Sequence, residues 1–137
     1  MKRLLLDTSA YSGLLRGHED IRQCIRQADA LYLNPIVLGE LRAGFGAGRR
    51  AGKNEGYLRR FLASPRVAVL AIDEETSERY AVIINSLWSA ATPVPTNNIW
   101  IAASAMQHGL VVLTLDAHFQ KIPQILAHQV PSRSVSR

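Results

Sequence analysis

At 137 residues the chain has the length of one domain with a full core, and 47% hydrophobic against 20% charged residues is a globular rather than a disordered composition. No apolar stretch nears the roughly 20 residues that cross a bilayer. Leu4-Leu5-Leu6 stops at Asp7, too short for a signal peptide, and the single Cys24 allows no internal disulfide, so a reducing cytoplasm is expected. A net charge of +5 and a pI near 9.9 point to a polyanionic partner.

Strand and helix patterns alternate along the chain. Residues 3–6 read as a strand, followed by a helix that Thr8 or Ser9 can cap and that runs to about Arg16. After Gly17, a second helix covers Glu19 to Ala30, with Ile21, Cys24, Ile25 and Ala28 on one stripe and Cys24 as core filler. Leu31 to Leu33 is a short strand, and Asn34-Pro35 opens a helix from Ile36 to about Phe45. A glycine-rich loop leads to a helix from about Gly52 to Leu62. Residues 67–72 are β-rich, and Asp73-Glu74-Glu75 starts a helix whose apolar stripe is Tyr80, Ile83, Ile84, Leu87, Trp88 and Ala91. Thr96-Asn97-Asn98 opens the next helix, which ends before Gly109. Residues 111–115 form a strand, 117–126 a weak helix, and Val130 to Val135 a last edge strand. This rhythm predicts a single α/β domain over residues 1–137, frayed from about 131, built as a three-layer α/β/α sandwich on a mainly parallel sheet.

Two of these strands end in a carboxylate: Asp7 after the first, Asp116 after Val111 to Leu115. Strand C-termini of a parallel sheet share one edge, where ligands bind. Carboxylates gathered there repel and raise one another's pKa values. A magnesium or manganese ion removes that cost. Each Asp has a plainer reading as a helix N-cap. Glu40 borders the stripe of Val37, Leu41 and Phe45; it either pairs with Arg42 or Arg16 or points along the sheet edge toward the first strand. Asn98 heads a helix that is apolar nearly all round, on the face of Ala102 and Ala105, where Thr96 and Asn97 could already serve as caps. A separate signal is the basic stretch Arg42, Arg49, Arg50, Lys53, Arg59 and Arg60, opposed only by Glu55. It suits contact with a phosphate backbone, or is a solvated face.

Four blocks carry a family resemblance across almost the whole chain: Leu6-Asp7-Thr8-Ser9-Ala10-Tyr11, Val37-Leu38-Gly39-Glu40-Leu41-Arg42-Ala43-Gly44, Pro95-Thr96-Asn97-Asn98-Ile99-Trp100-Ile101-Ala102-Ala103, and Leu113-Thr114-Leu115-Asp116-Ala117-His118-Phe119. In order and spacing they resemble the PIN-domain ribonucleases, in particular the VapC-type toxins of toxin–antitoxin pairs. The resemblance implies a Mg²⁺- or Mn²⁺-dependent endoribonuclease, commonly a homodimer, held by a small antitoxin that covers the acidic pocket. Asp7, Glu40 and Asp116 match acidic residues of that family's site, and Thr8 and Ser9 its short hydroxyl residues; Thr114 is assigned a supporting role. Asn98 departs from the pattern, for the family carries Asp there. It is either a natural variant or a deliberate change that tames a toxic nuclease.

On this reading Asp7 is the central metal ligand, and Asp116 and Asn98 complete its shell. Glu40 binds a second metal or orients the attacking water, leaving 5′-phosphate and 3′-hydroxyl products. The alternatives are a PIN-like domain that binds RNA or antitoxin without cutting, and an aspartyl phosphatase. The latter lacks a second Asp two residues after Asp7, where Ser9 stands. No His-x-x-x-His or Cys-x-x-Cys spacing favours zinc.

Overall fold

The computed structural model describes residues 2–132. Five strands form one parallel sheet: β1 (Arg3–Leu6), β2 (Ala30–Leu33), β3 (Val67–Val69), β4 (Val111–Thr114) and β5 (Leu126–Gln129), in the order β3-β2-β1-β4-β5. Six helices cover it to give the three layers: α1 (Thr8–Leu15), α2 (Glu19–Gln27), α3 (Pro35–Gly46), α4 (Ala51–Leu62), α5 (Glu74–Ser89) and α6 (Thr96–His108). The inner strands are apolar runs because helices cover them on both faces. Leu5, Leu6, Leu33, Val112 and Leu113 are fully buried.

The chain starts in the middle of the sheet, moves outward through β2 and β3, then returns to place β4 on the other side of β1. The order therefore reverses between β1 and β4, which pair with Leu6 opposite Leu113. The crevice of an open parallel sheet lies at such a reversal, beyond the strand C-termini. Asp7 leaves β1 there, and Asp116 follows β4 there. Gly13 lets α1 lie close to the end of β4, since a Cβ on it would stand 3.2 Å from a Leu115 methyl and 3.3 Å from Ile21.

Several local expectations are corrected. The last strand lies earlier than Val130 to Val135, at Leu126–Gln129, where its backbone pairs with β4; Val130 to Ser132 are not strand, and residues 133–135 of that expectation lie outside the described residues. The helix over 117–126 is a single 3-10 turn, Ala117–Lys121, because the chain must turn quickly to feed β5. The glycine-rich loop shrinks to residues 47–50. Gly44 and Gly46 belong to α3 and Gly52 to α4, and none of them adopts the left-handed backbone that would break a helix. Trp88, at the C-terminal end of α5, is 71% exposed rather than part of the core, because α6 covers only the flank of α5 that carries Ile83 and Leu87. Cys24 is half-buried, and its sulfur lies 3.9 Å from His128 Nδ1.

Asn34 joins α3 to α6. It is fully buried; its Oδ1 accepts from the Val37 N–H at 3.1 Å, and its Nδ2 donates to Ser104 Oγ at 3.0 Å. Truncation removes a cap and strands buried polar groups. Asn34→Ala is therefore expected to cost about 2–4 kcal/mol. Urea unfolding checks this: the midpoint should fall with the slope unchanged, and a loss under about 0.5 kcal/mol would exclude the linkage.

Candidate active site

Asp7 is the N-cap of α1, accepting the Ala10 N–H at 2.8 Å on Oδ1. Thr8 and Ser9, offered above as alternative caps, are instead the first helical residues, which frees their hydroxyls for other bonds. Ser9 Oγ donates to Asp7 at 2.8 and 2.9 Å and accepts the Leu115 N–H at 2.9 Å. Thr114 Oγ1 donates to Asp7 Oδ2 at 2.6 Å and accepts the Asp116 N–H at 2.8 Å. Two backbone amides beyond β4 are thus relayed through two hydroxyls onto one carboxylate of β1.

No Lys or Arg forms an ion pair with Asp7 among the described residues. The residue is 3% exposed. Burial pushes its carboxyl up from the ordinary 3.8 to about 6, against the pull of the Thr114, Ala10 and Ser9 donors and with a further push from Asp116. Asp116 differs. Burial also raises it, but the His118 N–H, the Asn98 amide and the His118 ring together hold it below the ordinary carboxylate value. Those donors lie at 2.9, 3.0 and 2.7 Å.

Glu40 turns toward the first strand's end rather than toward Arg42 or Arg16. Its Oε1 accepts from Thr8 Oγ1 at 2.5 Å, and its Oε2 from Asn97 Nδ2 at 3.1 Å. Asn98 follows Asn97 and donates its Nδ2 to Asp116 Oδ2 at 3.0 Å. Neither Asn is a helix cap, for α6 begins at Thr96 after Pro95 with no side-chain cap, and Asn98 is the third helical residue. Hydrogen bonds link Thr8 to Glu40, Glu40 to Asn97, Asn98 to Asp116, Asp116 to Thr114 and Thr114 to Asp7, and the chain itself joins Asp7 to Thr8 and Asn97 to Asn98, which closes a circuit. All four positions singled out from sequence lie on it. No three His, Cys, Asp or Glu side chains among the described residues are grouped closely enough to hold a metal ion.

Asn97 and His118 were missed as site residues. Asn97 read as a surplus cap, and its neighbour Asn98 was the only hint. His118, two residues past Asp116, had a stronger signal, since a side chain there can fold back onto the Asp it follows.

The basic stretch divides. Arg42 binds Glu55 through two nitrogens at 2.9–3.2 Å, and Arg59 binds the same carboxylate at 3.2 Å. Arg60 lies over the Tyr57 ring. Arg49 and Lys53 are exposed, and only Arg50 lines the groove that reaches Glu40.

A sequence profile of the PIN domain matches residues 4–125. The chain belongs to the PIN-domain family. Ribonuclease VapC4 of Mycobacterium tuberculosis is 32% identical over 128 residues, 91% of this chain and 95% of its own. Ribonuclease VapC1 of Rickettsia felis is 32% identical over 133 residues, 95% of this chain and 98% of its own. The crystal structure of DNA-bound VapBC from Salmonella typhimurium superposes with a TM-score of 0.82 at 26% identity, over 94% of this chain and 98% of that one. These relatives place the PIN domain among the VapC ribonucleases. No helix among the described residues is long and apolar enough to cross a membrane.

The donor set fits a hard divalent cation: carboxylate, amide and hydroxyl oxygens, with one buried carboxylate that no Lys or Arg among the described residues neutralises. Without metal, Asp7 makes the fold pH-sensitive. Its folded pKa of about 6 exceeds the ordinary 3.8, so below the lower value it is neutral in both states and costs nothing. Above the higher value it is charged in both, and the full burial cost applies, about 3 kcal/mol. Metal-free stability should therefore fall as pH rises from about 4 to 6. Asp7→Asn keeps the cap and removes the charge. Chemical unfolding in EDTA should find it roughly 1–3 kcal/mol more stable than the parent at pH 7 and no different near pH 4. Equal stability at both pH values would refute the buried-charge account.

Proposed function

We propose that this chain is the toxin of a toxin–antitoxin pair, a metal-dependent endoribonuclease acting in the cytoplasm, with Asp7, Glu40, Asn98 and Asp116 as its site. The observation that carries this reading is the cluster of Asp7, Glu40, Asn98 and Asp116, tied together by side-chain hydrogen bonds and chain neighbours at the sheet's reversal point, in a chain of the PIN-domain family. Antitoxin partnership is proposed from the VapBC assemblies that share the fold, and the assembly expected is a homodimer or a hetero-oligomer with antitoxin.

Asp7, Asp116 and the Asn98 carbonyl oxygen are the residues that would hold Mg²⁺ or Mn²⁺. Bound there, the ion supplies Lewis acidity that makes water a nucleophile at neutral pH and offsets charge on the phosphate. Ser9 and Thr114 fix the Asp7 carboxylate, so its oxygens need not reorganise when the substrate arrives. Thr8 and Asn97 hold Glu40 from two sides, and Glu40 orients the attacking water. Attack by water rather than the ribose 2′-hydroxyl leaves 5′-phosphate and 3′-hydroxyl ends.

Asn98 weakens the site. An Asp at this position would face Asp116 carboxylate to carboxylate, a pairing that calls for a cation. Asn instead offers a proton of its own to Asp116, so one negative charge is missing and a second is already satisfied. The same bond favours the second reading, a PIN-like domain that binds RNA or antitoxin without cutting. Asn98→Asp should raise Mg²⁺- or Mn²⁺-dependent RNA cleavage at least tenfold, tighten metal binding in calorimetry and make expression without antitoxin toxic. Neither version cleaving any RNA with either metal would leave the non-cutting domain as the reading. Equal turnover and equal metal affinity would return Asn98 to a structural role.

A further inference from the structure

We propose that the groove beside Glu40 that carries Arg16 and Arg50 binds the single-stranded RNA segment adjoining the scissile phosphate, on one side of it only. This rests on the ribonuclease reading above. The groove, about 440 Å³, shares Thr8 and Glu40 with the acidic circuit and runs away from it between α1, α3 and α4. A strand whose phosphate sits at the acidic edge therefore has its next nucleotide at the mouth of this groove.

Its chemistry suits that nucleotide. Arg16 and Arg50 are exposed and take part in no ion pair among the described residues. Arg42 and Arg59 are engaged by Glu55, Arg79 by Glu75, and Arg66 by the carbonyls of Ile25 and Ala28; Arg22, Arg26 and Arg49 are exposed and outside any ion pair among the described residues, but they do not line this groove. A free guanidinium is the preferred group for a phosphate oxygen pair. Leu15, 39% exposed, Leu41 and Phe45 give the groove apolar surface, and Ser12 and Asn54 add hydrogen-bonding groups. An unstacked base needs an apolar surface and a few polar edges; in a duplex its faces are already covered. A second depression of about 350 Å³ also touches Glu40 and is bounded by Pro35, Gly39 and Ala43, and no Lys or Arg among the described residues lines it. Of these two depressions only the one with Arg16 and Arg50 offers guanidinium groups among the described residues, and they also offset the repulsion that the carboxylates exert on an incoming strand.

The test is fluorescence anisotropy of the full chain with a short fluorescein-labelled single-stranded RNA of mixed sequence, in EDTA, across a salt series. Arg16→Gln and Arg50→Gln should each weaken binding roughly fivefold and flatten the log–log salt slope by about 0.7, with Lys at either position restoring the slope. Arg42→Gln and Arg59→Gln should stay within roughly twofold of the parent. Equal losses in all four variants, or none at Arg16 and Arg50, would overturn the assignment. It is also overturned if the matching duplex binds as tightly, or if the two variants lose antitoxin binding while RNA binding is intact. A parent chain that binds no RNA under any of these conditions removes the ribonuclease reading itself.

Discussion

The structure turns on a buried carboxylate that no Lys or Arg among the described residues neutralises. Asp7 stands where β1 ends, next to the returning strand β4, and three donors from α1 and β4 hold it. Removing an ion from water costs several kcal/mol even after relaxation, and neutral donors recover only part of that. The balance appears in its raised pKa of about 6. The same bonds join β1, α1 and β4, so the feature that strains the fold electrostatically also fixes the edge on which the proposed site is built.

That edge is organised by hydroxyl relays rather than by charge pairs. Ser9 and Thr114 each accept a backbone N–H and donate a hydrogen bond to Asp7. A hydroxyl can do both because it donates and accepts at once, which neither a carboxylate nor an ammonium can. Asp116 is served by the Asn98 amide and by His118, and Glu40 by the Thr8 hydroxyl and the Asn97 amide, and no Lys or Arg pairs with either among the described residues. Negative charge thus remains at the edge, as a hard cation requires. At the Asn98–Asp116 bond a neutral amide donor stands where an acidic residue would add a further charge.

Away from the edge, Glu55 decides how the positive surface is presented. One carboxylate engages Arg42 and Arg59 on the faces of α3 and α4, and this pairing lowers its own pKa. Exposed pairs of this kind add little stability, but they set which guanidinium groups stay available to an outside anion. The basic stretch therefore does not act as a uniform patch. Its charge is partly spent internally, and position relative to Glu40 separates the remainder.

The alternation of short apolar runs with helical stripes was enough to specify a parallel sheet sandwiched between helices, because burial on both faces demands that pattern. Asp7 and Asp116 were legible for a related reason: a carboxylate that ends a buried run must lie at a strand's C-terminal edge. Boundaries of weak elements were not. Residues 122–130 have no strong periodicity, and pairing with β4 rather than local preference placed the last strand at Leu126–Gln129. Nor did the order of residues reveal that Thr8 and Asn97 would grip Glu40, that Asn98 would turn its amide onto Asp116, or that Glu55 would engage Arg42 and Arg59. Those contacts join residues 13 to 57 positions apart, except Arg59, which is four from Glu55. Periodicity reports which face of an element is buried, whereas partners across the fold are chosen only when the sheet order brings distant elements together.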